Sequence, residues 1–168
     1  MEPLTVSGTL SSLKEIAAYV LSAATTAGLD KKSAYKLRLA IDEIATNIIL
    51  HGYEEAGLTG DITLTSQLNK TSFTITLEDS AIPYDPCQHD CPDEEDLSQE
   101  LHQRPIGGLG VLLALDGVDE FSYEFVDNHN RNHFTTHLSK SVSAESASTE
   151  DHSASSSLKA PSPAGHPA

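Results

Sequence analysis

Apolar side chains recur every three or four residues in two stretches near the N-terminus, the spacing of amphipathic helices. The first helix is predicted to begin at Ser11 or Ser12 and to end near Ala27, before Gly28. The second is predicted from Lys31 to about His51, with Asp30 as its N-cap. Their apolar positions are Leu13, Ile16, Ala17, Val20, Leu21 and Ala24, then Leu37, Ile41, Ile44 and Ile48.

Elsewhere apolar and polar positions alternate, which predicts strands with one buried face. A short strand near 5–10 precedes the first helix, and a hairpin is predicted over 62–77, turning at Asn69 and Lys70. A second hairpin places Phe121, Tyr123 and Phe125 against Phe134, Thr136 and Leu138, with a turn over Asn128–Asn132. The order β-α-α-β-β-loop-α-β-β predicts an α+β fold, a two-layer sandwich with helices on one face of a mostly antiparallel mixed sheet.

Two segments depart from regular patterning. Residues 79–106 form a long irregular stretch, which in a compact domain indicates either a functional lid or a disordered segment. The segment 107–115 starts with glycines and is expected to become an apolar helix. Residues 139–168 are rich in Ser, Ala and Pro, so burial cannot offset their ordering entropy. We therefore predict one folded domain over 1–138 and a disordered tail over 139–168.

The charge narrows the range of functions. The chain has 25 acidic and 10 basic residues and a formal net charge of −15, which argues against direct binding to nucleic acid or an anionic membrane. No apolar run approaches the roughly 18 residues of a spanning helix, and Met1–Leu4 resemble no secretory signal. A cytoplasmic protein is expected. Cys87 and Cys91 flank His89, but no second ligand pair accompanies them, so two reduced thiols are favoured over a zinc site.

The second predicted helix carries the first candidate site. Glu43, Asn47 and His51 recur every four residues and would form one polar stripe beside the apolar face. A carboxylate and an amide at the edge of a core-facing surface can meet a metal-bound phosphate in a cleft. A solvated helix edge is the alternative.

Two further motifs follow. Asp79 stands at a strand exit, before Ser80-Ala81-Ile82-Pro83, where it can accept a hydrogen bond from an amino group of a flat heterocycle or simply form a turn. Then Gly107, Gly108 and Gly110 precede the third predicted helix, so backbone N–H groups there can approach an anion. Arg104 could reach a terminal phosphate or a partner.

In this order the three motifs resemble the nucleotide-binding boxes of the GHKL ATPase superfamily. The chain is most similar to bacterial anti-sigma-factor serine/threonine kinases, whose E-x-x-x-N-x-x-x-H-x-Y segment resembles Glu43–Tyr53. Their D-x-G-x-P-F-D-P segment resembles Asp79–Pro86, and their G-G-x-G-L/I loop resembles Gly107–Val111. The resemblance covers about residues 5–138 and implies the Bergerat ATP-binding fold.

The resemblance implies a role for each matching residue. Glu43 would be the catalytic base, Asn47 the ligand of Mg²⁺, and Asp79 the reader of the adenine amino group. Glycines of the third motif would wrap the phosphates of ATP or ADP. The implied nucleotide-binding set is Asn47, His51, Asp79, Ala81, Pro83, Arg104, Gly107, Gly108, Leu109, Gly110 and Val111.

Two departures from the family pattern bear on the site. Ala81 replaces a glycine, and its methyl group could crowd the base or forbid a positive φ. The predicted lid is strongly acidic, which should repel free ATP or offer a docking surface to a basic partner. Its acidic residues are Asp85, Asp90, Asp93, Glu94, Glu95, Asp96 and Glu100.

Members of this family phosphorylate an anti-anti-sigma (STAS) protein and sequester a sigma factor, so both are expected partners. A homodimer is also implied, although the sequence gives no interface signal. The alternative is a nucleotide-gated or nucleotide-blind anti-sigma binding module without kinase activity. A detached histidine-kinase domain is disfavoured because no helical phospho-acceptor segment precedes the first predicted strand, and a gyrase-like ATPase because no transducer domain follows.

Overall fold

The computed structural model describes residues 1–86, 110–111 and 115–138. Two helices, α1 and α2, precede four of the five strands of one sheet. The strands are β1 (Leu4–Ser7), β2 (Asp61–Leu68), β3 (Ser72–Asp79), β4 (Glu120–Val126) and β5 (His129–His137). A short 3₁₀ turn, Leu10–Ser12, leads into α1 (Leu13–Thr26), and α2 (Lys31–Asn47) continues into a π-helical segment, Ile48–Glu54.

The sheet has the order β1-β2-β3-β5-β4, and each of its four pairings is antiparallel. The expected α+β architecture is confirmed, and the described sheet contains no parallel pair. Asp30 caps α2 as predicted, its Oδ1 accepting the N–H groups of Lys32 and Ser33 at 2.9 and 3.0 Å. The first hairpin also forms, with the Asn69 N–H donating to the Ser72 carbonyl at 2.8 Å.

The core lies between the helices and one face of the sheet. Leu37, Ile41 and Ile44 of α2 are buried over this face, as their helical spacing predicts. The buried face of the three central strands presents Ile62, Leu64, Phe73, Ile75, Leu77 and Phe134. The end of this face formed by the C-terminus of β3 and the N-terminus of β5 is polar instead, with buried Asp79, Asn130 and Asn132. This polar end of an apolar face positions the site described below.

The turn of the second hairpin differs from its prediction. It consists of Asp127 and Asn128, with φ values of 53° and 62°, and Val126 pairs with His129. Two left-handed residues suit a tight hairpin turn, and Asp and Asn tolerate that conformation. Asn130 and Asn132, placed in the turn by the sequence prediction, therefore lie in β5 with buried side chains.

Three expectations fall wholly or partly outside the described residues. Gly110, Val111 and Leu115 are helical within the helix predicted over 107–115, and the rest of that helix is not described. Most of the acidic segment, including Cys87, His89 and Cys91, and the tail after Leu138 also lie outside. No helix in the described ranges combines the length and apolarity needed to cross a membrane.

Candidate nucleotide-binding site

Asp79 is the most buried acidic residue of the site. It is the last residue of β3 and is 1% exposed, because it occupies the core-facing position of that strand. Its Oδ1 accepts hydrogen bonds from the Ala81 N–H at 2.9 Å and from Asn130 Nδ2 at 2.8 Å. Its Oδ2 has no partner among the described residues. Burial raises the pKa of Asp79, and the two hydrogen bonds lower it in part.

Asn130 holds the loop that follows β3. It lies opposite Asp79 in the antiparallel register, and its Nδ2 is also 3.2 Å from the Ala81 carbonyl oxygen and 3.3 Å from that of Ile82. Its Oδ1 accepts the Tyr123 hydroxyl at 2.8 Å. One carboxamide thus fixes both Asp79 and the backbone of residues 81–82, and its orientation is set by its partners.

Tyr53 fixes the same loop from the other side. Its hydroxyl donates to the Asp61 carbonyl at 2.9 Å and accepts the Ser80 N–H at 3.1 Å. Tyr53 is 1% exposed, and its ring approaches two glycines closely. A Cβ built on Gly8 would lie 2.5 Å from the ring, and one on Gly60 would lie 2.8 Å from the ring and its hydroxyl. These glycines are required by close approach.

The end of α2 differs from the predicted helix end. The α-helix ends at Asn47, and the π-helical segment that follows inserts an extra residue per turn. The Glu55 N–H accordingly donates to the Leu50 carbonyl five residues earlier. The helix also continues past Gly52, where the sequence predicted its end. His51 lies within this segment, and its Nδ1 lies 2.9 Å from Glu55 Oε2 at the surface.

A small open cleft lies between the end of α2 and the loop after β3. Four of the predicted site residues line it: Asn47, His51, Asp79 and Ala81. Pro83 lies on the same loop but is exposed and does not line the cleft. The remaining lining residues are Ile44, Ile48, Gly52, Ile82, Tyr84, Pro86, Asn130 and Asn132. The walls are thus mostly apolar, with a few convergent polar groups, as in small-molecule sites.

Asn130 and Asn132 are the site residues that sequence reasoning missed. The pattern of Phe134, Thr136 and Leu138 placed alternate β5 residues inside, and extending it backwards by two steps reaches both asparagines. Because asparagine is typical of turns, both residues were assigned to the turn and not to the strand.

Ala81 occupies the predicted base-binding loop without backbone strain. Its φ is not positive, because only Asp127 and Asn128 among the described non-glycine residues have positive φ. Its methyl group faces Gly52, since a Cβ built on Gly52 would lie 2.8 Å from Ala81 Cβ. The methyl group occupies space that a glycine on the π-helical segment leaves open.

Glu43 lies one helical turn before Asn47 and is exposed. A Cβ built on Gly110 would lie only 3.1 Å from Glu43 Oε2, so the backbone at Gly110 approaches this carboxylate. Val111, next along the chain, is 3% exposed and belongs to the core. The other predicted residues of this motif, Arg104, Gly107, Gly108 and Leu109, lie outside the described residues.

The side-chain oxygens near the cleft suit Mg²⁺, which needs few ligands from the protein, better than a metal ion whose ligands all come from the protein. Within the described ranges no three His, Cys, Asp or Glu side chains are grouped to hold a metal ion. Mg²⁺ typically takes one or two protein oxygens together with substrate phosphates and waters. The Asn47 amide oxygen, with Glu43 one turn away, fits that donor set.

Comparison with known proteins agrees with this geometry. A search of curated proteins returned no match. The family model described as "Histidine kinase-like ATPase domain" matches residues 6–135, which span β1 to β5 and every described residue of the cleft. The chain therefore belongs to the histidine kinase-like ATPase domain family, which makes it a GHKL-type domain and implies nucleotide binding.

Proposed function

We propose that this protein is a Mg²⁺- and ATP-dependent serine/threonine kinase of the anti-sigma type. It would phosphorylate a STAS-domain partner and sequester a sigma factor in the cytoplasm. The observation that carries the proposal is the cleft that joins Asp79, a buried carboxylate with one unpartnered oxygen, to Asn47. The first can accept from an exocyclic amino group, and the second can bind a metal held by phosphates.

The positions of Asn47 and Glu43 support phosphoryl transfer. With the base beside Asp79, the phosphates would lie near Asn47, which lines the same cleft, and Glu43 projects from the preceding turn of α2, about 6 Å away. Glu43 is exposed and close to Gly110, so an incoming hydroxyl can reach it. Glu43 would accept the proton of the attacking hydroxyl as the hydroxyl oxygen forms a bond to the γ-phosphorus. The bond between the γ-phosphorus and the β–γ bridging oxygen would break, which releases ADP.

The test replaces Glu43 with an isosteric amide. Glu43→Gln should reduce phosphoryl transfer from γ-labelled ATP to the STAS partner by about 100-fold or more and leave ADP affinity within about twofold. Glu15→Gln, which neutralises an exposed acid on α1, is the matched control and should transfer normally. Transfer by Glu43→Gln at the unaltered rate would remove Glu43 from the mechanism.

One observation favours a second candidate, a nucleotide-gated anti-sigma binding module without kinase activity. The Ala81 methyl group fills space beside Gly52 in the cleft, where the kinases that this chain resembles carry glycine. The labelling experiment separates the candidates, because the module captures a sigma factor in a nucleotide-dependent way and leaves the STAS partner unlabelled. Acid-labile label on a histidine would instead indicate histidine-kinase chemistry.

A further inference from the structure

Two of the residues that line the cleft carry an unpartnered acceptor oxygen. Among the described residues, buried side-chain oxygens without a hydrogen-bond partner belong to Asp42, Asp79, Asn132 and Thr136. Asp79 and Asn132 are the two of these that line the cleft. In each the unpartnered atom is a side-chain oxygen, Oδ2 of Asp79 and Oδ1 of Asn132.

The sheet places these two side chains on one face. Asp79 pairs with Asn130 and Leu77 pairs with Asn132, so Asp79 and Asn132 are diagonal neighbours, with Cα atoms about 7–8 Å apart. Asn130 cannot satisfy either oxygen, because its Nδ2 already serves Asp79 Oδ1 and the 81–82 carbonyls. Asn132 is 2% exposed, so its side chain is largely removed from bulk solvent.

A buried acceptor without a donor lowers stability, and a ligand that supplies the donor recovers that free energy on binding. The 6-amino group of adenine has two N–H bonds that diverge in the plane of the ring. Two acceptors on the same wall match that pair of donors. A 6-oxopurine would place its own oxygen against both acceptors, leaving all three without donors.

We propose that Asn132 is a base-selecting residue: its Oδ1 accepts the second hydrogen of the adenine 6-amino group, the first being accepted by Asp79. This inference rests on the proposed adenine-nucleotide site. Asn132 would reject 6-oxopurines by acting beside Asp79, and Asn130 would hold Asp79 in place for that contact.

The experiment measures binding of three nucleotides to the full chain by calorimetry. ADP carries an amino group at C6, purine riboside 5′-diphosphate carries hydrogen there, and inosine diphosphate carries oxygen. The unaltered protein should bind ADP most tightly and inosine diphosphate most weakly. Asn132→Leu, which keeps the shape of the side chain and removes its oxygen, should weaken ADP binding by about fivefold to tenfold. It should change purine riboside diphosphate binding by less than about twofold, so the preference for ADP over that analogue narrows.

Thr136→Val is the matched control. Thr136 is four residues after Asn132 on the same face of β5 and is 6% exposed. Its Oγ1 is also unpartnered, but it does not line the cleft. Its replacement should leave all three affinities unchanged. Asn132→Ser provides a smaller change if the leucine variant does not fold, with the same expected narrowing.

Three results would overturn the proposal. Unchanged ADP affinity in both Asn132 variants would show that the oxygen makes no contact with the base. Equal losses for ADP and purine riboside diphosphate would assign Asn132 to the ring or its N1, not to the amino group. Both results leave the adenine-nucleotide site intact, whereas failure of the unaltered protein to bind any of the three nucleotides would reject the site itself.

Discussion

At the scale of single residues, Asp79 combines a stability penalty with a binding function. Its carboxylate is buried at the polar end of an otherwise apolar face, and one of its oxygens is unpartnered. Burial therefore raises its pKa, despite the hydrogen bonds from Asn130 and Ala81. The unpartnered oxygen destabilises the free protein, but a ligand that donates a hydrogen bond to it binds more tightly. Stability and function are therefore in conflict at this position.

Asp79→Asn should separate these two effects. At neutral pH the amide removes a desolvated charge, so the free energy of unfolding should rise by about 1 kcal/mol. ADP affinity should fall about tenfold or more, because the amide is a weaker acceptor than a carboxylate. Urea unfolding and calorimetry measure the two quantities, and Asp61→Asn, at an exposed position, should change neither.

The raised pKa of Asp79 predicts how the stability of the folded protein changes with pH. The folded-state pKa of Asp79 lies above its unfolded value of about 3.8, so the folded protein binds this proton more tightly. The stability of the unaltered protein should therefore rise as pH falls through the folded-state pKa. The advantage of Asp79→Asn should shrink over that interval and be absent below the unfolded pKa. An advantage that grows towards low pH would show that the folded-state pKa is lowered instead.

At the scale of elements, the π-helical segment and the loop after β3 depend on one close approach. Gly52 has no room for a methyl group, because a Cβ there would lie 2.8 Å from Ala81 Cβ. The two positions form a pair in which one residue is glycine and the other alanine. The departure of Ala81 from the family glycine is thus accommodated by the helix that faces it.

A double-mutant cycle tests this pairing. Gly52→Ala should destabilise the domain by about 2 kcal/mol through overpacking and should weaken ADP binding. Adding Ala81→Gly should recover most of that loss, with a coupling free energy of at least about 1 kcal/mol. Gly52→Ala combined with Ala40→Gly, a buried α2 position well before the π-helical segment, should be additive. Additivity in the Gly52–Ala81 pair as well would contradict a direct contact.

Sequence periodicity predicted elements better than it predicted their ends. Leu37, Ile41 and Ile44 placed α2 correctly because helical burial is a local repeat. The turn into β5 was misplaced because Asn is typical of turns, whereas tertiary pairing holds Asn130 and Asn132 in a strand. The π-helical segment was not predictable from spacing, since the apolar repeat before it is that of an α-helix.

At the scale of the whole molecule, the site is a product of sheet topology. β3 and β5 are neighbours although the acidic segment separates them in sequence, and their pairing brings Asp79 beside Asn130. The sequence predicted Asp79 and Asn47 as site residues from their motifs, and the structure places both on one cleft. The side chains that complete this cleft come from a long-range register, which no local pattern specifies.

The net charge of −15 should oppose the binding of a nucleotide that is itself anionic. The acidic segment contributes Asp93, Glu94, Glu95 and Asp96, outside the described residues. Raising the ionic strength from about 0.01 M to about 0.15 M shortens the screening length from about 30 Å to about 8 Å. ATP affinity should therefore increase by about two- to fivefold, whereas affinity for uncharged adenosine should stay constant.

Replacing those four acids by their amides isolates the contribution of the segment. The fourfold variant should bind ATP more tightly at low salt and should show a flatter salt dependence. If the repulsion is instead spread over the whole chain, the variant will keep the full salt dependence. ATP binding that weakens with salt would mean that positive groups and backbone N–H donors around the phosphates outweigh the net charge, because screening reduces attraction and repulsion alike.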